Sequence, residues 1–287
     1  MSGDPDLQPP DLPPIPYRLG WRPEGVFPGA HPGHGEGVEG EFRRHVSLLR
    51  HPDPRRIDLR VSLRDPTGEL HVRQFSPRRS VAVAALVDLS GSMGFGNDAS
   101  RIADLCALLA VSAQRSGDSF ALFGCDAHVR EEASLPLSRR RGIEAEVRER
   151  LLLARPAGRG VDGLFEAADR LPARRSLVFL ISDFLMPLTQ IERLLEALWR
   201  HDVVPVVVRD SGAESELPRW GLIEIADLET GGHRLVLMRP GLRERWRQEA
   251  AERHQALDAL FARHGRRPFH LVDALDADAL ARHLMEA

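Results

Sequence analysis

The sequence predicts an α/β fold built on a doubly wound, mostly parallel sheet. Two continuous apolar runs, 81–87 and 177–181, lack the alternation of a half-exposed strand, and such runs are typical of strands buried on both faces. The first run is followed directly by Asp88, and the second by Ser182 and Asp183. Predicted strands and helices alternate along most of the chain after residue 80, an order that favours parallel strands joined by helices.

The remaining elements follow from the spacing of apolar residues. We assign helices where these residues recur every three or four positions, and strands where they form short runs. Charged residues in 127–132 are typical of an edge strand, which we expect to be antiparallel. The predicted strands are 119–124, 127–132, 203–208, 222–226, 235–237 and 269–272, and the predicted helices are 102–115, 143–153, 191–201, 243–264 and 276–286.

The N-terminal part has a different composition. Residues 1–16 are rich in proline, which predicts a flexible tail. Residues 17–79 form an N-terminal extension, in which 57–64 and 69–75 alternate apolar and charged residues around a turn and predict a β-hairpin. His31 and His34 lie three apart in a glycine-rich stretch, but no third ligand has matching spacing, so a surface loop is favoured over a metal site. Residues 80–287 form the α/β domain.

Composition excludes several classes of function. The 287 residues carry a net charge of −3, which gives no electrostatic basis for binding nucleic acid. No apolar run approaches the roughly 20 residues of a membrane-spanning helix, and the N-terminus lacks the features of a signal peptide. Cys106 and Cys125 lie in apolar surroundings, as buried thiols of a reducing compartment do. We therefore expect a cytoplasmic protein with no stable membrane insertion.

All 39 basic residues are arginine. A phosphate-binding P-loop needs a lysine, and so does Schiff-base catalysis, so both are excluded. Any ATP-driven work must come from a partner.

Three oxygen-bearing residues follow the first buried strand. Asp88, Ser90 and Ser92 alternate in the loop where ligands bind in open α/β sheets. Carboxylate and hydroxyl oxygens are the ligands that Mg²⁺ or Mn²⁺ prefers, so the pattern predicts a divalent-cation site. The alternative is structural: Ser90 or Ser92 could cap the helix that starts near Ser100, or a short turn before it.

The segment 88–93, Asp-Leu-Ser-Gly-Ser-Met, resembles the metal-ion-dependent adhesion site (MIDAS) of von Willebrand factor A (vWA) domains. This resemblance implies that Asp183 contributes the second carboxylate, and that a loop corresponding to 158–164 contributes a threonine. The expected threonine is replaced by Val161, whose side chain has no oxygen, and Asp162 is the nearest substitute. The predicted metal ligands are Asp88, Ser90, Ser92, Asp162 and Asp183.

Motifs in the N-terminal extension make the resemblance more specific than vWA domains in general. These motifs occur in the order Glu-Phe-Arg-Arg (41–44), Asp-Pro-Arg-Arg-Ile-Asp (53–58) and Leu-His-Val-Arg-Gln-Phe (70–75), directly before the first buried strand. This order resembles the bacterial family called domain of unknown function 58, whose genes accompany MoxR-type AAA+ ATPases. The resemblance covers roughly residues 17–287 and is nearest to short members of methanol-oxidation gene clusters. It implies a vWA-like adaptor that works with a MoxR-type ATPase to mature a client enzyme, with methanol dehydrogenase as one candidate client.

The competing class is an enzyme. A metal held by Asp88 and Asp183 could activate water in a hydrolase. Such a mechanism needs a general base, and the three loops contain no histidine; His128 is the nearest in sequence. The sequence therefore favours binding over catalysis.

Overall fold

The computed structural model describes residues 13–24, 27–33, 40–94, 98–156, 160–210, 220–226 and 233–286. The described residues form two compact units, one of 19–81 with 116–118 and the other of 13–18, 82–115 and 119–286. Within these ranges, no helix is both long and apolar enough to cross a membrane.

The N-terminal unit contains a two-stranded antiparallel sheet. Strand β2 (Glu41–Ser47) pairs with β3 (His71–Ser76), and the short strands β1 (His31–Pro32) and β4 (Arg78–Arg79) pair with each other. The predicted hairpin of 57–64 with 69–75 is therefore wrong in its first strand. Residues 59–62 instead form a single helical turn, α1 (Leu59–Ser62).

Asp58 explains that difference. Its carboxylate accepts hydrogen bonds from the backbone N–H groups of Arg60 and Val61, which caps α1. It also accepts hydrogen bonds from Arg73 at 2.8 Å and His45 at 3.2 Å. The Arg73 hydrogen bond is the largest of the effects that hold the pKa of Asp58 well below its ordinary value. An alternating pattern that contains an N-cap aspartate thus folds as a helical turn.

His31 is part of the same unit. Its Nε2 lies 2.7 Å from the carboxylate of Asp118, and both side chains are buried. The other oxygen of Asp118 accepts the N–H of Val81 at 2.8 Å. His31 therefore joins a structural hydrogen-bond network, and His34 lies outside the described residues.

The larger unit is organised around a six-stranded sheet with the order β12–β9–β8–β5–β6–β7. Adjacent strands are parallel except for the antiparallel pair β6 and β7 at one edge, so the predicted fold class is confirmed. The strands β10 (Gly221–Ala226) and β11 (His233–Met238) form a separate antiparallel pair. The six sheet strands are β5 (Ala82–Asp88), β6 (Ser119–Cys125), β7 (Val129–Ser138), β8 (Leu177–Ser182), β9 (Asp202–Arg209) and β12 (Phe269–Val272).

Six helices belong to the described part of this unit. One core contains β5 residues Ala84 and Leu86 together with side chains of α4, α5 and α6. Helices α2 and α3 pack against each other, and α2 also contacts β6. The helices are α2 (Asp98–Arg115), α3 (Ile143–Leu153), α4 (Asp162–Asp169), α5 (Leu188–Ala197), α6 (Pro240–Arg263) and α7 (Ala277–Met285).

Both cysteines are buried free thiols, as predicted, and burial raises the pKa of each. In the predicted flexible tail, residues 1–12 lie outside the described residues. Ile15 is buried and donates its N–H to the hydroxyl of Ser112 at 3.0 Å, so this end of the tail is anchored.

Candidate functional site

The two strands that deliver the predicted carboxylates are neighbours. In the parallel pair β5 and β8, Val87 lies opposite Ile181, so Asp88 and Ser182 follow at the same level. Carboxyl ends of parallel strands share one edge of the sheet, where ligands bind in open α/β folds. The fold therefore brings Asp88 and Asp183 to the same place.

Asp88 is the buried centre of the site, with an exposed fraction of 1%. One carboxylate oxygen accepts the N–H of Ser90 at 2.9 Å, and the other accepts the hydroxyl of Ser182 at 2.6 Å. Burial raises the pKa of Asp88 to about 6, helped by the negative charge of Asp183 and opposed by these hydrogen bonds. Asp88 is thus held in place by protein donors, and its charge is poorly solvated.

The two serines lie side by side above Asp88. Residues 91–94 form a 3₁₀ turn after β5, and the hydroxyl oxygens of Ser90 and Ser92 are 3.2 Å apart. Helix α2 begins at Asp98, six residues after Ser92, so neither serine occupies its N-cap position. These serines therefore do not cap α2. Ser90 directly precedes the short turn of 91–94, so the alternative that a serine caps such a turn stays a prediction.

Asp183 completes the cluster from β8. Ser92 forms a side-chain hydrogen bond with it, and its N–H points to the sulfur of Met93 at 3.2 Å. Burial raises the pKa of Asp183, while the Ser92 hydrogen bond and the positive charge of Arg253 lower it. The pKa values of both carboxylates are therefore raised, and a cation between them would relieve their charge.

The loop that presents Asp183 has an unusual backbone. Phe184 has φ of 53°, a left-handed conformation that is rare for residues other than glycine, and its side chain is fully buried. Its ring packs edge-on against Phe261 of α6, with 5.2 Å between the centroids. Arg253 of α6 donates hydrogen bonds to the carbonyls of Phe184, at 2.7 Å, and Met186. Helix α6 therefore holds the Asp183 loop in this strained conformation.

The third predicted metal-binding loop, which contains Val161 and Asp162, contributes less to the site than the other two. Val161 is 5% exposed and belongs to the core shared by α4, α5 and α6. Asp162 is exposed in the first turn of α4, and among the described residues no hydrogen bond or ion pair joins it to the other four predicted ligands. The start of α4 is instead fixed through Gly163, whose N–H donates to the carbonyl of Asp126 at 2.9 Å. Asp88, Ser90, Ser92 and Asp183 meet, and Asp162 is not joined to them.

The donor set can be compared with the requirements of Mg²⁺. Octahedral coordination at 2.0–2.1 Å places adjacent ligands about 2.9 Å apart, close to the separation of the two serine oxygens. Among the described residues, no three histidine, cysteine or acidic side chains form a metal-binding group. Hydroxyl ligands would therefore have to supply part of the coordination shell. The side chains of Asp88, Ser90, Ser92 and Asp183 fit this requirement, but the third loop lacks the oxygen of a threonine.

Sequence reasoning missed three supporting residues. Ser182 and Met93 stand beside predicted ligands, and their adjacency to these ligands was the only available signal. Arg253 is 70 residues from Asp183 in the sequence, in a helix rich in exposed arginines, so no local pattern distinguishes it.

Together, the sheet and its acid–serine cluster define a vWA-like α/β domain. The family described as "Protein of unknown function DUF58" matches residues 52–256, and the chain belongs to this family. The resemblance seen in the sequence is therefore confirmed.

Two curated proteins and one solved structure are similar to parts of the chain. A protein of Paracoccus denitrificans described as an "Uncharacterized protein in moxR 3'region" is 41% identical over 104 residues, 36% of this chain and 99% of that protein. An uncharacterized protein of Mycobacterium tuberculosis is 31% identical over 239 residues, 79% of this chain and 73% of that protein. Among solved structures, a von Willebrand factor type A protein from Catenulispora acidiphila is 16% identical, with a TM-score of 0.34 over 46% of this chain and 34% of that chain.

Proposed function

We propose that this protein is a non-enzymatic adaptor that works with a MoxR-type AAA+ ATPase to mature or activate a client enzyme. The observation that carries the proposal is the relative from the moxR 3' region, which aligns over 99% of its own length with 36% of this chain. The absence of lysine supports it, because energy from ATP must then come from another protein.

The acid–serine cluster is the proposed recognition site. Asp88, Ser90, Ser92 and Asp183 would hold Mg²⁺ or Mn²⁺, and the bound ion would supply an open coordination position for a carboxylate of the partner. Asp88 is buried, whereas Ser92 and Asp183 are only partly buried, so the cluster reaches the protein surface on their side. Methanol dehydrogenase remains one candidate client.

The hydrolase alternative lacks a general base. Among the described residues, no histidine forms a hydrogen bond or ion pair with any of the four clustered side chains. His128 is exposed, and its Nδ1 lies 3.9 Å from Glu166, outside the cluster. Nothing in the described geometry therefore favours hydrolysis.

The test of the adaptor is direct. We expect the purified chain to co-elute with the MoxR-type ATPase of its own organism and to change that ATPase's turnover, while hydrolysing no ATP itself. Size-exclusion chromatography and an ATPase assay measure both effects. Failure to form a complex, together with an unchanged rate, would contradict the proposal.

A substitution at Val161 tests whether the third loop contributes to Mg²⁺ binding. Val161→Thr places a hydroxyl in a buried position, which should cost about 1–3 kcal/mol of stability without metal. The added oxygen should tighten Mg²⁺ binding about tenfold, since a hydrogen bond to a charged group contributes a similar free energy. Calorimetric titration and melting curves measure the two effects.

Val161→Ala is the matched control, because it changes the core without adding an oxygen. It should destabilise the fold and leave the Mg²⁺ affinity unchanged. If Val161→Thr also leaves that affinity unchanged, the third loop does not face the ion.

A further inference from the structure

Four leucines are exposed at one end of the β2–β3 hairpin in the N-terminal unit. Leu49 follows β2, and Leu70 precedes β3. Leu59 lies on α1 and Leu63 directly after it. Their exposed fractions are 87% for Leu49, 67% for Leu59, 86% for Leu63 and 45% for Leu70. Single exposed leucines are ordinary, but a group of them indicates a contact surface.

Hydrogen bonds hold the three leucine-bearing segments together. Leu48 donates its N–H to the carbonyl of Leu70 at 2.7 Å, which joins the first segment to the third. His71 donates its N–H to the hydroxyl of Ser62 at 2.8 Å, and its carbonyl accepts the N–H of Asp58 at 2.8 Å. The turn of α1 is therefore fixed against the beginning of β3, beside Leu70.

The turn of α1 has the reverse of the usual polarity. Its polar residues Asp58 and Ser62 are buried, whereas Leu59 and Leu63, four residues apart on one side of the turn, face solvent. Folding alone would favour the opposite arrangement, because an exposed leucine forgoes the favourable free energy of burying its side chain. This arrangement points to a role for the leucines outside the fold.

Exposed arginines lie close to the leucines in the sequence. Arg50, Arg55, Arg60 and Arg64 are exposed, and their side chains form no ion pair within the described ranges. Residues 40–81 contain ten arginines and five acidic residues, a net charge of +5 in a chain whose total is −3. Positive charge is thus concentrated in the same segment as the exposed leucines.

We infer that these leucines and arginines form a docking surface for a protein partner that presents apolar side chains surrounded by aspartate and glutamate. Charge complementarity determines the partner's acidic character, and the leucines determine its apolar centre. The inference rests on the proposed function for the partner's identity, the MoxR-type ATPase. We call this surface the leucine–arginine surface.

Two other occupants fit less well. Nucleic acid would place phosphates against leucines, and the segments 48–50, 59–64 and 68–70 contain no aromatic residue for base stacking. For a membrane surface, these segments lack the aromatic residues typical of interfaces with lipid.

The test compares two double variants of the full chain for binding to the MoxR-type ATPase, measured by calorimetry without nucleotide. Leu59→Ser with Leu63→Ser removes the apolar centre, and Arg60→Glu with Arg64→Glu reverses part of the charge. We expect each to weaken binding about tenfold or more, as the loss of central interface contacts usually does. The wild-type affinity should also fall as salt rises, because the arginines are exposed.

Matched controls come from the larger unit. Leu153→Ser removes an equally exposed leucine, and Arg141→Glu with Arg174→Glu makes the same change of net charge at exposed arginines. Both should bind like the wild type, and melting curves show that every variant folds.

The outcomes separate the two proposals. If the wild-type chain binds and both surface variants bind equally well, the leucine–arginine surface is wrong and the adaptor stands. If the wild-type chain does not bind, the adaptor proposal fails and the docking inference fails with it. The wild type could instead sediment with vesicles containing one third phosphatidylserine. If Leu59→Ser with Leu63→Ser loses that binding, the surface binds lipid and the inference of a protein partner is overturned.

Discussion

Asp88→Asn should abolish the effect of Mg²⁺ on melting temperature and also make the metal-free protein more stable at neutral pH. The first result follows because Asp88 is the buried carboxylate of the cluster. The second follows because burial penalises its charge, and the substitution removes that charge while retaining the side chain's shape. Melting curves with and without Mg²⁺ measure both effects.

The pH dependence of this gain has a defined sign. The pKa of Asp88 is raised from 3.8 to about 6, so the folded state retains a proton that the unfolded state has lost between these values. Asp88 therefore reduces stability as pH rises from about 4 to 6, by about 3 kcal/mol in total. The stability of Asp88→Asn relative to wild type should rise through this window and stay constant above it.

Asp169→Asn is the control, because it removes an exposed carboxylate at the end of α4. It should leave the Mg²⁺ response unchanged. A flat difference between Asp88→Asn and wild type from pH 4 to 7 would show that Asp88 is solvated, contrary to the structure.

Arg253→Gln should release the loop that carries Asp183. The arginine donates charged hydrogen bonds to two carbonyls of that loop, each of which contributes about 1.5–3 kcal/mol. Their loss leaves Phe184 in a strained backbone conformation without this support. We expect a lower melting temperature and at least tenfold weaker Mg²⁺ binding, measured by calorimetry.

Two further variants separate positioning from general stability. Both hydrogen bonds come from one nitrogen of Arg253, Nη2. Arg253→Lys retains the charge on a shorter side chain, so it should recover only part of the affinity. Arg247→Gln, at an exposed position of the same helix, should match the wild type. If Arg253→Gln lowers the melting temperature and leaves Mg²⁺ affinity unchanged, Arg253 stabilises the fold without positioning Asp183.

The carboxylates of the site could be predicted because a local pattern marks them. Strands β5 and β8 are continuous apolar runs, and each is followed by a polar residue at the point where the strand ends. Parallel pairing then brings Asp88 and Asp183 together without further information. The support from Arg253 depends on a contact between distant segments, and its own surroundings in the sequence resemble an exposed helix.

The N-terminal hairpin shows where such patterns are ambiguous. Residues 57–61 alternate apolar and charged side chains, as a strand does, but Asp58 can also cap a helical turn. The capped turn forms here, and β2 takes the place beside β3 that the alternation assigned to 57–64. Only the isolated bridge between Ile57 and Val72 retains the predicted pairing.

Metal-gated recognition of the ATPase is the central claim, and the affinity of the two proteins as a function of Mg²⁺ tests it most directly. The measurement is made without nucleotide, so that Mg²⁺ bound to ATP does not contribute. The affinity of the wild type for the ATPase should then rise with Mg²⁺. Asp88→Ala should bind weakly at every Mg²⁺ concentration. If the wild type and Asp88→Ala bind the ATPase with equal affinity, both with and without Mg²⁺, the claim is contradicted.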